Sequence, residues 1–333
     1  MICRSISVTA LVAFAAIVAA TASSSSSSSL VSAARPPSGL YGLSPAPALV
    51  RVDPKTGNVT NVGPTIAFEL IAQQLATIDP INAIFYFIGL NVTSQRNTIV
   101  GLDMNTGRVV VETPLPFILG TFVGVGEVLD FDPETRKLIA MGREASQGNA
   151  HHILTIDPLT GQRQDIARIG GIDVIERISG FDQSAGIEWV SLAVNKSGSV
   201  EVDLFAFNVR SGQLVHQIPD KLNVDSMVFD QATGKMACLA YAGNSRVLVN
   251  LNSRDASFQT VGTVPSYLVM DSSISAFDFK TRVLYAIFQQ SAGSHAGNFF
   301  LVGVNSETAA VVSSVELCQE DLSDCPLSLE YLP

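Results

Sequence analysis

From residue 40 onward, short runs in which apolar and polar residues alternate, such as Leu49-Val50-Arg51-Val52, end in Asp or Asn and then in a turn rich in Pro, Thr and Gly. Alternation with period two predicts half-buried strands. Asp or Asn at the first turn position accepts bonds from backbone N–H groups two or three residues on. Pro presets φ at the next position, and Gly takes the left-handed position that closes the turn. Each copy therefore predicts a β-hairpin. One series reads Ile78-Asp79, Phe131-Asp132, Phe181-Asp182, Phe229-Asp230 and Phe277-Asp278, its aspartates 53, 50, 48 and 48 residues apart. A second series is interleaved: Asp53, Asp103, Asp157, Asn208, Asn252 and Asn305, spaced by 50, 54, 51, 44 and 53. Two hairpins in about 50 residues make four strands, the dimension of a propeller blade.

The second hairpin occurs six times and the first five, so the N-terminal copy, with Gly39 to Leu43 as its second strand, lacks a first strand. Leu327 to Pro333 has the apolar pattern to supply it, and Leu332 falls 54 residues after Asp278, on period. The predicted fold is all-β: a six-bladed β-propeller with four antiparallel strands per blade, its ring closed by a C-terminal strand that completes the N-terminal blade. Such closure removes two open sheet edges. Expected blade limits are 40–69 with 327–333, then 70–120, 121–172, 173–220, 221–268 and 269–326.

The first 38 residues carry a different pattern. Arg4 precedes an apolar run from Ile6 to Ala20, and Ala20-Thr21-Ala22 is a small-x-small cleavage pattern, so 1–22 reads as a signal peptide. The serine tract Ser23 to Ser29 and Arg35-Pro36-Pro37 make 23–38 a low-complexity linker, leaving 39–333 as one propeller domain. No later stretch reaches 18 apolar residues, so no membrane span is expected, and export is the expected location. Cysteine usage fits an oxidising compartment: Cys318 and Cys325 flank a polar loop and are expected to form a disulfide, while Cys238 lies in an apolar strand-like run as a buried thiol. Asn58, Asn91 and Asn195 head N-glycosylation sequons at peripheral turns and loops.

Charge narrows the partners. With 20 Lys and Arg against 30 Asp and Glu, the net charge is −10, which argues against nucleic acid and anionic membrane surfaces. An extracellular protein, a glycan or a small ligand remains, bound by a monomer. Hydrolase elbows, phosphate-binding glycine loops and Cys-x-x-Cys pairs do not occur.

On blade period and hairpin chemistry, 39–333 resembles six-bladed propellers of the broad NHL-repeat, regucalcin and paraoxonase type. The resemblance implies a ligand site at the channel mouth, where the first strand of each blade begins. Gln74, Glu127, Arg177 and Asp225 stand five residues before their turn aspartates, and Asp271 lies nearby. By the same resemblance Glu127, Asn223, Asp225 and Asp271 are the candidate ligands for Ca²⁺, since converging oxygens are what calcium requires. The turn aspartates themselves lack the alternating carboxylates of a calcium loop and read as turn formers. The expected function is a secreted, non-catalytic recognition propeller; the alternative is a calcium-dependent hydrolase or lactonase at the channel mouth.

Overall fold

In a computed structural model the described residues are 35–70, 76–115, 128–143, 151–169, 178–196, 199–219, 223–243, 245–265, 268–290, 297–318, 325–326 and 328–333. They form six antiparallel sheets, one per blade, arranged as a six-bladed β-propeller. Blade 1 holds β1 (Gly39–Leu43), β2 (Leu49–Val52) and β3 (Val59–Asn61). Blade 2 is built from β4 (Phe68–Leu70), β5 (Ala76–Asp79), β6 (Ile84–Asn91), β7 (Arg96–Asp103) and β8 (Val109–Pro114). Blade 3 has β9 (Leu129–Asp132), β10 (Lys137–Arg143), β11 (His151–Ile156) and β12 (Arg163–Ile169). Blade 4 has β13 (Ser179–Asp182), β14 (Ile187–Lys196), β15 (Ser199–Asn208) and β16 (Gln213–Pro219). Blade 5 comprises β17 (Val224–Asp230), β18 (Lys235–Ala242), β19 (Ser245–Asn252) and β20 (Phe258–Val264). Blade 6 comprises β21 (Leu268–Asp278), β22 (Val283–Gln290), β23 (Phe299–Asn305) and β24 (Val311–Cys318), and β25 (Glu330–Leu332) follows.

The ring closes as the repeat count predicts. β25 pairs antiparallel with β1, Gly39 opposite Leu332 and Tyr41 opposite Glu330, which makes it the innermost strand of blade 1. Leu332 thereby takes the register position that Asp79, Asp132, Asp182, Asp230 and Asp278 hold in the other blades, opposite the first residue of the second strand. Close approach is part of the closure: a Cβ on Gly42 would lie 2.0 Å from the Ser328 carbonyl oxygen. The Cys318–Cys325 disulfide forms just upstream, joining the end of β24 to the segment that leads into β25.

The turns have the predicted chemistry. In the β2–β3 turn the Lys55 N–H donates to Asp53 Oδ1 at 2.8 Å and the Gly57 N–H to the Asp53 carbonyl at 2.8 Å, with Gly57 at φ 73°. Period-two burial then sends alternate side chains of each sheet to opposite neighbours. The result is six apolar clusters, one between each pair of adjacent blades. Cys238 is fully buried in β18, within the cluster between blades 4 and 5.

Two details differ from the sequence reading. Phe68 to Leu70 pair with β6 and belong to blade 2, because its innermost strand is split into β4 and β5. Asn91 and Asn195 lie in the last residues of β6 and β14, whereas Asn58 sits in the β2–β3 turn as expected.

Candidate functional site

The innermost strands carry three tiers of residues toward the axis. One position before the turn aspartate stand Ile78, Phe181, Phe229, Phe277 and, by register, Tyr331, all lining a central cavity. Two positions before it stand Thr77, Asp130, Gly180, Val228, Ala276 and Glu330. Three positions before it stand Ala76, Leu129, Ser179, Met227, Ser275 and Leu329. The cavity encloses about 180 Å³.

The middle tier is lopsided. Glu330, Thr77 and Asp130 come from the consecutive blades 1, 2 and 3 and form a polar arc. Gly180, Val228 and Ala276, from blades 4, 5 and 6, form a small apolar arc across from it. No Lys, Arg or His is among the described residues that line the cavity.

The carboxyl groups of the polar arc are held in a low-dielectric setting. Asp130 is half-buried, and burial pushes its carboxyl up to about 6, against hydrogen bonds from Ser179 and Glu188 that pull it down. Ser179 Oγ donates to Asp130 Oδ2 at 3.3 Å. Glu188, opposite Phe181 at the start of β14, is fully buried, and burial followed by the Asp130 charge raises it well above the usual carboxylate range. Neither Glu188 oxygen meets an N–H or hydroxyl donor. Across blades 3 and 4 the two carboxyls therefore disfavour each other's ionised form. Glu330 is likewise raised, first by burial and then by Asp130.

Of the residues expected at the channel mouth, Asn223, Asp225 and Asp271 fall among the described residues. Gln74, Glu127 and Arg177 lie outside the described residues. Asn223 adopts a left-handed φ of 48°, and its carbonyl accepts the Tyr241 N–H at 3.2 Å. Asp225 sits at a register shift between Val224 and Ser226 and pairs with buried Arg246, Nη2 to Oδ2 at 2.7 Å. Asp271 lies within the register shift of β21 between Met270 and Ser275. Among the described residues no three His, Cys, Asp or Glu side chains are grouped to hold one metal ion.

Sequence reasoning did not single out Asp130, Glu188 or Glu330. Its signal was present for Asp130: Leu129-Asp130-Phe131-Asp132 carries a carboxylate two residues before the turn aspartate, where the other copies have Thr, Gly, Val or Ala. Glu188 gave no such signal, because its burial arises only when blade 3 packs against blade 4.

No protein-family model matches the chain, and no curated protein matches it. Solved structures do. TolB from Acinetobacter baumannii superposes with a TM-score of 0.55 at 11% identity, over 89% of this chain and 66% of that one. A putative TolB from Agrobacterium tumefaciens gives 0.55 at 8% identity, over 89% and 98% of the two chains. The GH74 xyloglucanase from Xanthomonas campestris gives 0.52 at 15% identity, over 83% of this chain and 43% of that one. The chain thus spans just under two thirds of the Acinetobacter protein and less than half of the xyloglucanase. At such identities the likeness shows a shared propeller fold.

Proposed function

We propose that this is a secreted, non-catalytic propeller that recognises a protein, glycan or small ligand at its central channel. The observation that carries the reading is the middle tier of the cavity, where carboxyls and a hydroxyl on three consecutive blades face small apolar residues on the other three. A concave site with a few convergent polar groups in apolar walls is what a binding pocket requires. The test is capture of extracellular ligands, from glycan arrays and secreted fractions, on the signal-free protein and on Asp130→Asn. Ligand retained by the first and released by the second supports recognition at the channel. Equal retention by both removes the channel from it.

A calcium-dependent hydrolase of the regucalcin or paraoxonase kind is the second reading. What favours it is that Asp225 and Asp271 fall at register shifts of β17 and β21, irregularities of the kind found beside active sites, with Asn223 just ahead of β17. Thermal unfolding with millimolar calcium, repeated on Glu127→Gln and Asp225→Asn, tests it. A calcium-dependent rise in Tm lost in both variants, with lactone or ester turnover, would replace the recognition reading.

A further inference from the structure

We propose that the cavity binds an organic cation, a primary alkylammonium whose N–H donors meet Asp130 and Glu330 and whose carbon chain lies against the apolar arc of blades 4 to 6. The inference rests on the recognition reading and names its ligand class. Three features of the site carry it.

The first is the unmatched acceptor capacity. Asp130 and Glu330 both line the cavity, from blades 3 and 1. Asp130 accepts the Ser179 hydroxyl at 3.3 Å. Two carboxyls facing one desolvated cavity are costly to ionise together, and a positive charge beside them offsets that cost. The cavity lining among the described residues supplies none.

The second is shape and polarity. About 180 Å³ is comparable to the engineered cavity of about 150 Å³ that takes up benzene, so a ligand of roughly six non-hydrogen atoms fits. An alkylammonium of that size has a charged head with three donors and an apolar tail. Glu330, Thr77 and Asp130 stand where the head would lie, and Gly180, Val228 and Ala276 leave room for the tail. Phe181, Phe229 and Phe277, one tier away on blades 4 to 6, extend the apolar wall on the side of the tail.

The third argues against a bare metal ion. Asp130, Glu188 and Glu330 are not grouped as the ligand set of one ion. A single calcium takes about six to eight oxygens at about 2.6 Å or less, whereas an ammonium head is satisfied by three acceptors at about 2.8 Å.

Charge balance supplies a readout. Ammonium binding favours the ionised carboxyls, so groups held partly protonated by burial release protons when the ligand enters. The experiment is isothermal titration of the full mature chain with n-butylammonium, the neutral alcohol n-pentanol, N-acetyl-lysine methylamide and calcium chloride, in two buffers of different ionisation enthalpy at pH 7. Butylammonium is expected to bind with proton release. Asp130→Asn and Glu330→Gln are expected to weaken it by about tenfold or more, as loss of one charge-assisted contact does. Pentanol is expected not to bind. Binding of the lysine derivative as well would assign the site to lysine side chains of a partner, and binding of butylammonium alone would assign it to free amines.

Equal binding of pentanol and butylammonium, unchanged affinity in both variants, or calcium binding alone would overturn the proposal. Both variants remove an ionisable carboxyl without changing shape, and unchanged folding is checked by circular dichroism. Failure here together with capture of an uncharged extracellular ligand on the channel would leave the recognition reading standing. Failure of both arms would remove it.

Discussion

Arg210, in the β15–β16 turn of blade 4, reaches across to Asp132 at the end of β9 in blade 3, Nη2 to Oδ1 at 3.1 Å. A related contact runs from blade 6 to blade 5, where Arg282 in the β21–β22 turn places Nη2 2.5 Å from Asp230 Oδ2. From blade 5 to blade 4, Ser253 Oγ donates to Asp182 Oδ2 at 2.5 Å. The turn aspartates therefore do two things: they cap their own hairpin and accept a donor from the next blade. Asp132 shows both, accepting the Glu134 N–H at 3.1 Å and the Thr135 hydroxyl at 2.8 Å besides Arg210.

Removing such a donor should loosen the ring. Arg210→Ala leaves a carboxylate that is fully buried without its ion-pair partner, and a loss on the order of 2 kcal/mol is expected. Arg210→Lys should recover part of it, because the charge returns without the two-pronged geometry. Urea denaturation of the three proteins at neutral pH measures the difference. A loss no larger than that of an exposed Arg→Ala change would show that the contact across blades contributes nothing.

The channel carboxyl sets an unusual pH dependence. Asp130 titrates near 6 in the folded protein and near 4 when unfolded, so between those values the folded state holds a proton the unfolded chain has lost. Stability from this group is complete below about 4 and declines as pH rises through about 6. The ionised group at pH 7 then costs on the order of 3 kcal/mol. Asp130→Asn should raise Tm at pH 7, by much less at pH 4, and flatten the profile between them. Asp278 acts with opposite sign: burial alone would raise it, but hydrogen bonds led by Thr281 and Tyr331 outweigh that and lower it. Its contribution is present above about 4 and fades as pH falls below.

Ring closure depends on one glycine. Gly42→Ala places a methyl 2.0 Å from the Ser328 carbonyl oxygen, a backbone atom that moves only if β25 shifts away from β1. Overpacking of this kind costs about 3 kcal/mol. The strand should detach before the rest of the ring opens, so limited proteolysis is expected to cut near residue 330 in the variant before it cuts elsewhere. A variant with wild-type Tm and an intact C-terminus would contradict this role for Gly42.

The disulfide bears on the same seam. Cys318 and Cys325 close a ring of eight residues, worth about 2.5 kcal/mol on the loop-entropy account. Reduction, or Cys318→Ser with Cys325→Ser, should lower Tm and raise C-terminal protease sensitivity together. Reduction that leaves both unchanged would mean that β25 holds its place through β1 alone.

The architecture was legible in the chain because each of its causes is local. Period-two alternation, Asp at the first turn position and glycine at φ 73° in Gly57 are properties of a few consecutive residues, and their recurrence about every 50 residues counts the blades. Ring closure was legible for the same reason, since Leu327 to Pro333 repeats the apolar pattern of an innermost strand. The site was only partly legible. Reading five residues upstream of the turns led to the channel mouth and to Asp225, which the fold pairs with Arg246.

Asp130 and Glu330 are 200 residues apart in sequence and share a cavity only because blades 1 and 3 flank blade 2 around a closed ring. Glu188 becomes a buried carboxyl only when blade 4 packs on blade 3. The sequence by itself thus determined the strands, the turns, the number of blades and where the ring closes, since hairpin chemistry acts within a few residues. Tertiary structure alone decided which carboxyls lose water and face one another, because desolvation and electrostatic coupling depend on distance in space.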